Sequence, residues 1–338
     1  ILSILSIANA ANGREAILCS FHLHLWNMSK TTAKIISLGS TRILPNLSQQ
    51  IRCRPSPFFK SFSTSTPKSS SLVTIERLED DERIALVKLH RGPANALSLE
   101  FCQAISEAIK TLENDGKPNA MILSSSLPNK IFSAGLDIST ELYKPDHDRL
   151  PEFWRSFQQL FLDLYGSTKL TTIANIEGAA PAGGCMLALS CDYRIVDACK
   201  NSRATIGLNE SHLGIVAPPW MCQQYIDVLG HRQAELALIS GRLFSPTEAL
   251  KMGLVDELVE DNDGVSKASI ARAKELVKIP KGAKAAVKQL TRMPLVNSLT
   301  ADREKDVDFF CNFVTSENVQ IAIGRYLEAL ASGKKKKK

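Results

Sequence analysis

The sequence predicts an α/β domain closed by a helical C-terminal third. Three observations carry this. From position 72, apolar strands, loops of small residues and helical stretches alternate at intervals of roughly 40 to 50 residues. That region opens on a strongly alternating hairpin pattern. After Trp220 the strand signals nearly vanish and helical periodicity takes over.

Taken in chain order, SLVTIERL and EDDERIALVKLH alternate around an acidic turn, as the two strands of a hairpin do. RGPANALS follows, and its Ser98 can cap a helix running to about Asp115. In that helix Phe101, Ile105, Ile109 and Leu112 recur at helical spacing, and Gly116 and Pro118 stop it. NAMILSSS reads as a buried strand, and TTIANIEG and DYRIVDA as two more, with the apolar helical stretch GGCMLALSC between those two. Downstream, WMCQQYIDVLG, RQAELALIS, SPTEALKMG, SKASIARAKELVK, GAKAAVKQL and the run to Leu330 all favour helix.

The 338 residues, 44% hydrophobic and 22% charged, have the composition of an ordinary globular chain, and no apolar run reaches the ~18 residues of a membrane span. The formal charge of +6 is unevenly spread. Residues 1–72 hold eight Lys/Arg against Glu15 alone, and Lys334–Lys338 add five more, which leaves −6 over residues 73–333. A mildly acidic folded part does not support a nucleic-acid partner. Eight cysteines show no C-x-x-C and no His at zinc-ligand spacing, so they read as reduced, mostly buried side chains with no metal site.

From Met28 to Val73 there is no acidic residue, while Ser, Thr, Lys and Arg abound among spaced apolar residues. This is the composition of a mitochondrial transit peptide, so the expected location is the mitochondrial matrix. Residues 1–27, upstream of that first methionine, are expected to be message read as protein, and the terminal lysines a translated adenine-rich end.

Two loops are short of side chains where chemistry usually wants them: IFSAGLDI and GAAPAGGCM. Each follows a strand. Small residues allow a ligand to approach the main chain, and the first N–H groups of a helix opening at Ala182-Gly183-Gly184 lack intrahelical partners. Such groups can hold a developing oxyanion. Tight strand-to-helix packing would explain either loop alone. A third segment, IGLNESHLGIVAPPW, sets Glu210 among apolar residues, whereas a lone glutamate is by default solvated.

Pro93, NALS, FSAGLDI, PAGGCMLALSCDYRI, IGLNESHLGI and GHRQAELALISGRLFSPTEALKMGLVDELV together resemble the enoyl-CoA hydratase/isomerase (crotonase) superfamily over residues 72–333. The joint occurrence of AGLD, PAGGC and GLNE(S/T)xLGI is similar to its mitochondrial isomerase branch. The resemblance implies a ββα-spiral core at 72–265, a C-terminal helical region at 266–333 that builds homotrimers, an acyl-CoA thioester substrate and no cofactor. Residues 1–71 are the expected transit segment and 334–338 the lysine tail. The resemblance also places the oxyanion-hole N–H groups on Leu136 and Gly183, the acyl-CoA thioester and pantetheine contacts on Ala134, Gly135, Leu136, Asp137 and Ile138, an acyl-chain contact on Asn209, and the catalytic carboxylate on Glu210.

Met186 departs from the hydratases of the superfamily, which carry a second glutamate there to hold water. Moving a double bond needs one base that takes a proton at one carbon and returns it at another, so a lone Glu210 predicts isomerisation of 3-enoyl-CoA to 2-trans-enoyl-CoA. Hydration, dienoyl isomerisation or thioester hydrolysis, and a non-catalytic oligomeric role, are the alternatives. Asp137 is expected to cap a helix, His212 to point away from the site, and Asp192 and Arg194 to pair with each other. Trp154 and Trp220 shape the acyl pocket or fill core.

Overall fold

The computed structural model describes residues 72–127, 131–200, 202–261 and 264–335. The expected transit segment, with the stretch 1–27 before it, and the end of the lysine tail lie outside the described residues. The chain enters as a hairpin, β1 (Val73–Leu78) and β2 (Asp81–Leu89), with Val73 opposite Leu89. Helix α1 (Leu99–Asp115) follows, capped by the Ser98 hydroxyl, which accepts the Phe101 N–H, and ended at Gly116 in the left-handed conformation. Strand β3 (Ala120–Ser125) then lies parallel to β2. A short π-helix (Ile138–Leu142) and α2 (Arg149–Tyr165) lead to β4 (Thr171–Ile176). After it come β5 (Ala180–Pro181), α3 (Gly183–Ser190), β6 (Tyr193–Asp197) and β7 (Ile206–Gly207).

A 3-10 helix (Glu210–Leu213) precedes α4 (Pro219–Leu229), α5 (His231–Ser240) and α6 (Pro246–Met252). The short β8 (Glu257–Val259), α7 (Gly264–Leu276), α8 (Lys281–Thr315) and α9 (Glu317–Lys335) complete the described chain. The main sheet runs β1-β2-β3-β4-β6-β8, parallel from β2 onward, while β5 and β7 pair separately. This is the expected α/β architecture with a helical C-terminal region. Strand β8 is too short for its alternation to register in the sequence.

Alternation divides the strands between two cores. Met121 and Leu123 of β3, with Ala85 and Val87 of β2, face the side that holds α1 and α2. Ile84, Ala120, Ile122, Ile173 and Ile195 face Val265, Ala273 and Val277 from the segment of α7. A layer buried on both faces accounts for the apolar run in NAMILSSS.

Trp154 and Trp220 serve the core. Both rings lie within an aromatic cluster with Phe157 and Phe161, and Trp154 stacks on Phe310 at 3.4 Å between centroids. Their indole N–H groups share Asp306 Oδ2, at 2.7 and 3.3 Å, so α2, α4 and α8 are bound at one carboxylate.

Asp192 and Arg194 do not pair with each other. Asp192 receives Lys288 Nζ at 2.7 Å and an Arg292 nitrogen at 2.8 Å, both from α8, while Arg194 pairs with Asp256 at 3.0 Å. Packing sets α8 over the start of β6 and Asp256 beside it, so each charge finds a partner on another element.

Candidate active site

The segment Arg91 to Ser98 turns at Asn95, which holds φ at 48° and is fully buried. Asparagine tolerates this left-handed geometry better than most residues. Its Oδ1 accepts the Arg91 N–H at 2.9 Å, and its Nδ2 donates to Ser125 Oγ and to the Phe132 carbonyl. The Ser133 hydroxyl donates to the Asn95 carbonyl at 2.8 Å. The NALS segment is thereby laid along the FSAGLD loop.

There Leu97 and Leu136 form an isolated parallel bridge. Leu97 N–H donates to the Gly135 carbonyl at 2.7 Å, and Asp137 N–H donates to the Leu97 carbonyl at 2.9 Å. The central residue of such a bridge turns its own N–H to the opposite side. The Leu136 N–H therefore faces away from Leu97, and it has no acceptor among the described residues.

The second loop is set by β5 and β7, where Ala182 N–H donates to the Gly207 carbonyl at 2.8 Å. Ala182 then adopts φ 51° and ψ −122°, a strained geometry for a residue with a Cβ, and α3 begins at Gly183. As first helical residue Gly183 has no intrahelical acceptor for its N–H, and none elsewhere among the described residues. The two loops touch. A side chain on Gly135, itself at φ 83°, would meet Ala182 Cβ at 2.9 Å and Gly183 N at 3.1 Å. One on Gly184 would run into the Ser133 carbonyl oxygen. Close packing and a free pair of N–H groups thus arise from the same glycines.

Three residues beyond β7, Glu210 opens the 3-10 helix that ends at left-handed Gly214. It is 8% exposed, against buried Leu208, Leu213 and Ile215, while Val216 turns outward. Burial raises its carboxyl to about 7, with only its own backbone N–H pulling the other way. One oxygen, Oε2, has no hydrogen-bond partner. Its electrostatic neighbours include the Cys185 and Cys222 thiols and the Tyr225 phenol, all pushed up by burial and further by the Glu210 charge. None is cationic. His212 is exposed, with its ring against Gly241. Asn209 is half-buried with a partnerless Oδ1.

Met186, fourth residue of α3, is fully buried, and its sulfur receives the Ser190 hydroxyl at 3.5 Å. Position 186 presents a thioether and no carboxylate. The Asp137 carboxylate faces inward, taking Arg91, Ser139 Oγ and Thr140 N–H, so it caps the short helix as expected. Ala134 and Ile138 flank this turn, with Ala134 N–H bound to the Ala94 carbonyl at 3.0 Å.

Two contributions escape the motifs. Helix α9 returns over both short helices: Gln320 Nε2 donates to the Leu142 carbonyl at 2.9 Å, its Oε1 accepts the Lys144 N–H at 2.8 Å, and Gly214 stands against Ala322. Arg91 ties the two strands of the Leu97–Leu136 bridge. Neither has a local sequence signal, since both depend on distant segments meeting.

No group of three or more His, Cys, Asp or Glu positioned to hold a metal occurs among the described residues. Two clefts, of about 230 and 640 Å³, lie elsewhere, the first beside Lys88 and Asn175 and the second beside Asp192 and Arg292.

A family model described as Enoyl-CoA hydratase/isomerase matches residues 79–335. The chain is 44% identical over 266 residues to the rat protein named Enoyl-CoA delta isomerase 1, mitochondrial, covering 79% of this chain and 90% of the relative. To the mouse protein named Methylglutaconyl-CoA hydratase, mitochondrial, it is 29% identical over 250 residues, covering 71% and 77%. The crystal structure of human mitochondrial delta3-delta2-enoyl-CoA isomerase superposes with a TM-score of 0.74 at 37% identity, covering 78% of this chain and 99% of that one.

Proposed function

The chain belongs to the enoyl-CoA hydratase/isomerase family, and from that premise we propose that it is an enoyl-CoA isomerase, moving a C3=C4 double bond to C2=C3 during mitochondrial oxidation of unsaturated fatty acids. The observation that carries the reading is the isolation of Glu210: a buried carboxylate with one unpartnered oxygen, and no second acid at position 186.

In this reading the Glu210 carboxylate removes a C2 proton from the 3-enoyl-CoA. The electron pair passes to the thioester oxygen, giving a dienolate that the Leu136 and Gly183 N–H groups hold. The Glu210 carboxylic acid then returns the proton at C4, leaving 2-trans-enoyl-CoA and restoring the base. Nothing is gained or lost by the enzyme. A carboxyl raised to about 7 suits both halves, since one group must accept and donate near neutrality. Main-chain N–H groups fixed by the fold need little reorganisation when charge develops, which supports this reading. The residues from Ala134 to Ile138 would line the thioester and pantetheine, and Asn209 the acyl chain. No cofactor is invoked.

The proposed location is the mitochondrial matrix, reached through the acid-free segment before residue 72. The proposed assembly is a homotrimer, supported by apolar side chains left exposed on α5 and α8, Ile239 at 72% and Leu290 at 80%. The test incubates the purified enzyme with 3-hexenoyl-CoA and follows conjugated 2-enoyl absorbance, with hydration of 2-hexenoyl-CoA measured in parallel. Isomerisation is expected to dominate. Hydration as fast as isomerisation would overturn the reading.

A further inference from the structure

We propose that Arg91 is a positioning residue for the oxyanion donor at Leu136, an inference that rests on the oxyanion reading of that N–H. The two strands of the Leu97–Leu136 bridge are joined by main-chain bonds at Gly135 and Asp137, and on the side before the bridge by Ala134 N–H to the Ala94 carbonyl and by the Asn95 and Ser133 contacts. Arg91 adds a side-chain restraint across the bridge itself. One guanidinium nitrogen donates to the Ala96 carbonyl at 2.8 Å, next to Leu97, and the other to Asp137 Oδ2 at 2.5 Å, next to Leu136. A single planar group therefore grips the residue before Leu97 and the residue after Leu136.

The root of the side chain is fixed as well. Arg91 N–H donates to Asn95 Oδ1 at 2.9 Å, and its carbonyl receives the Asn95 N–H at 2.7 Å. The guanidinium and carboxylate side chains are 21% and 10% exposed, so solvent screens the pair only in part. Asp137 Oδ1 meanwhile caps the helix that follows, receiving Thr140 N–H at 3.1 Å and Ser139 Oγ at 2.9 Å. The two oxygens of one carboxylate thus serve two purposes, and Asp137→Asn separates them. Asparagine remains a good helix cap. What it loses is the charge that holds Arg91.

An oxyanion donor works only when its hydrogen meets the place where charge appears, whereas ground-state affinity comes mainly from the remainder of the acyl-CoA. Loosening the Leu136 turn therefore acts on turnover more than on binding.

The experiment uses full-length enzyme in four forms: wild type, Arg91→Gln, Arg91→Lys and Asp137→Asn. Two readouts are taken, the kinetics of 3-hexenoyl-CoA isomerisation and the infrared stretch of bound hexanoyl-CoA labelled at its thioester carbonyl. Wild type is expected to lower the carbonyl frequency relative to free ligand. Arg91→Gln and Asp137→Asn are expected to lose most of that lowering and about 10- to 100-fold in kcat, with KM within about threefold of wild type. Arg91→Lys should recover part of both, because one donor and the charge remain. The inflection of the pH profile that belongs to Glu210 should not move in any variant. If Arg91→Gln does not fold, Asp137→Asn decides alone. A lowered wild-type frequency that both Arg91→Gln and Asp137→Asn retain, with wild-type kcat, overturns the role of Arg91 only. A wild type that leaves the carbonyl unshifted overturns the oxyanion reading and this inference with it.

Discussion

Leu136 N lies 3.5 Å from the point at which a side chain on Gly183 would begin. Two residues with unpaired N–H groups, on loops that follow different strands, are thus neighbours. Around this pair the rest of the proposed chemistry is arranged: a strained Ala182 aims one donor, a lone parallel bridge aims the other, and β7 carries the chain on to Glu210.

That closeness makes Gly184 intolerant of a methyl group. In Gly184→Ala the new carbon would collide with the Ser133 carbonyl, which is backbone and has no rotamer to change. Stability is expected to fall by about 1–3 kcal/mol, as overpacked sites do, together with a large loss of kcat. Denaturant melts and steady-state rates check both, and an alanine variant with wild-type stability and turnover would contradict the packing described.

Glu210→Gln should fold, bind acyl-CoA and lose nearly all isomerisation. The amide keeps the shape of the side chain and removes the base. Since a positioned acid or base contributes about 10² to 10⁴ in rate, residual turnover above a tenth of wild type would exclude Glu210 as the proton carrier. Calorimetry with a saturated hexanoyl-CoA separates binding from chemistry.

The pH dependence follows from the same carboxyl. Because only the ionised form can take a proton, kcat/KM should rise with pH through about 7 and level off above it. Stability should run the opposite way. Burial lifts the folded value above the ordinary 4.5, so the stabilising contribution is complete below that ordinary value and is lost as pH rises through about 7. The contribution is at most about 3 kcal/mol. Melting temperature measured from pH 5 to 8 should decline more for wild type than for Glu210→Gln. Parallel curves, or a flat kcat/KM across that range, would show that Glu210 is not perturbed.

Met186→Glu tests what separates the two activities of the family. The thioether is fully buried against Ser190, so a carboxylate there enters a dry site and raises its own or the Glu210 value. Hydration of 2-hexenoyl-CoA is expected to rise from a wild-type level ~10² to 10⁴ below isomerisation, while isomerisation slows. Matched six-carbon substrates give the ratio directly. Unchanged hydration in a folded Met186→Glu enzyme would show that position 186 does not face the reacting carbons.

The sequence by itself determined whatever is decided within a few residues. The hairpin of β1 and β2, the Ser98 cap, the buried β3, the two small-residue turns and the helical downstream third all stand where local pattern put them. These are matters of backbone geometry, periodicity and unpaired N–H groups, and each segment carries its own signal. Tertiary structure alone decided the partners. Asp192 turned from its near neighbour Arg194 to Lys288 and Arg292, Arg91 met Asp137 across a bridge, and α9 came back to cover the short helices Ile138–Leu142 and Glu210–Leu213. It also decided how far burial lifts Glu210, which depends on the elements that close around the residue rather than on the apolar letters beside it. A charged group pairs with whatever packing brings within about 3 Å, and that distance is set by how helices and strands stack, long after the local pattern has been spent.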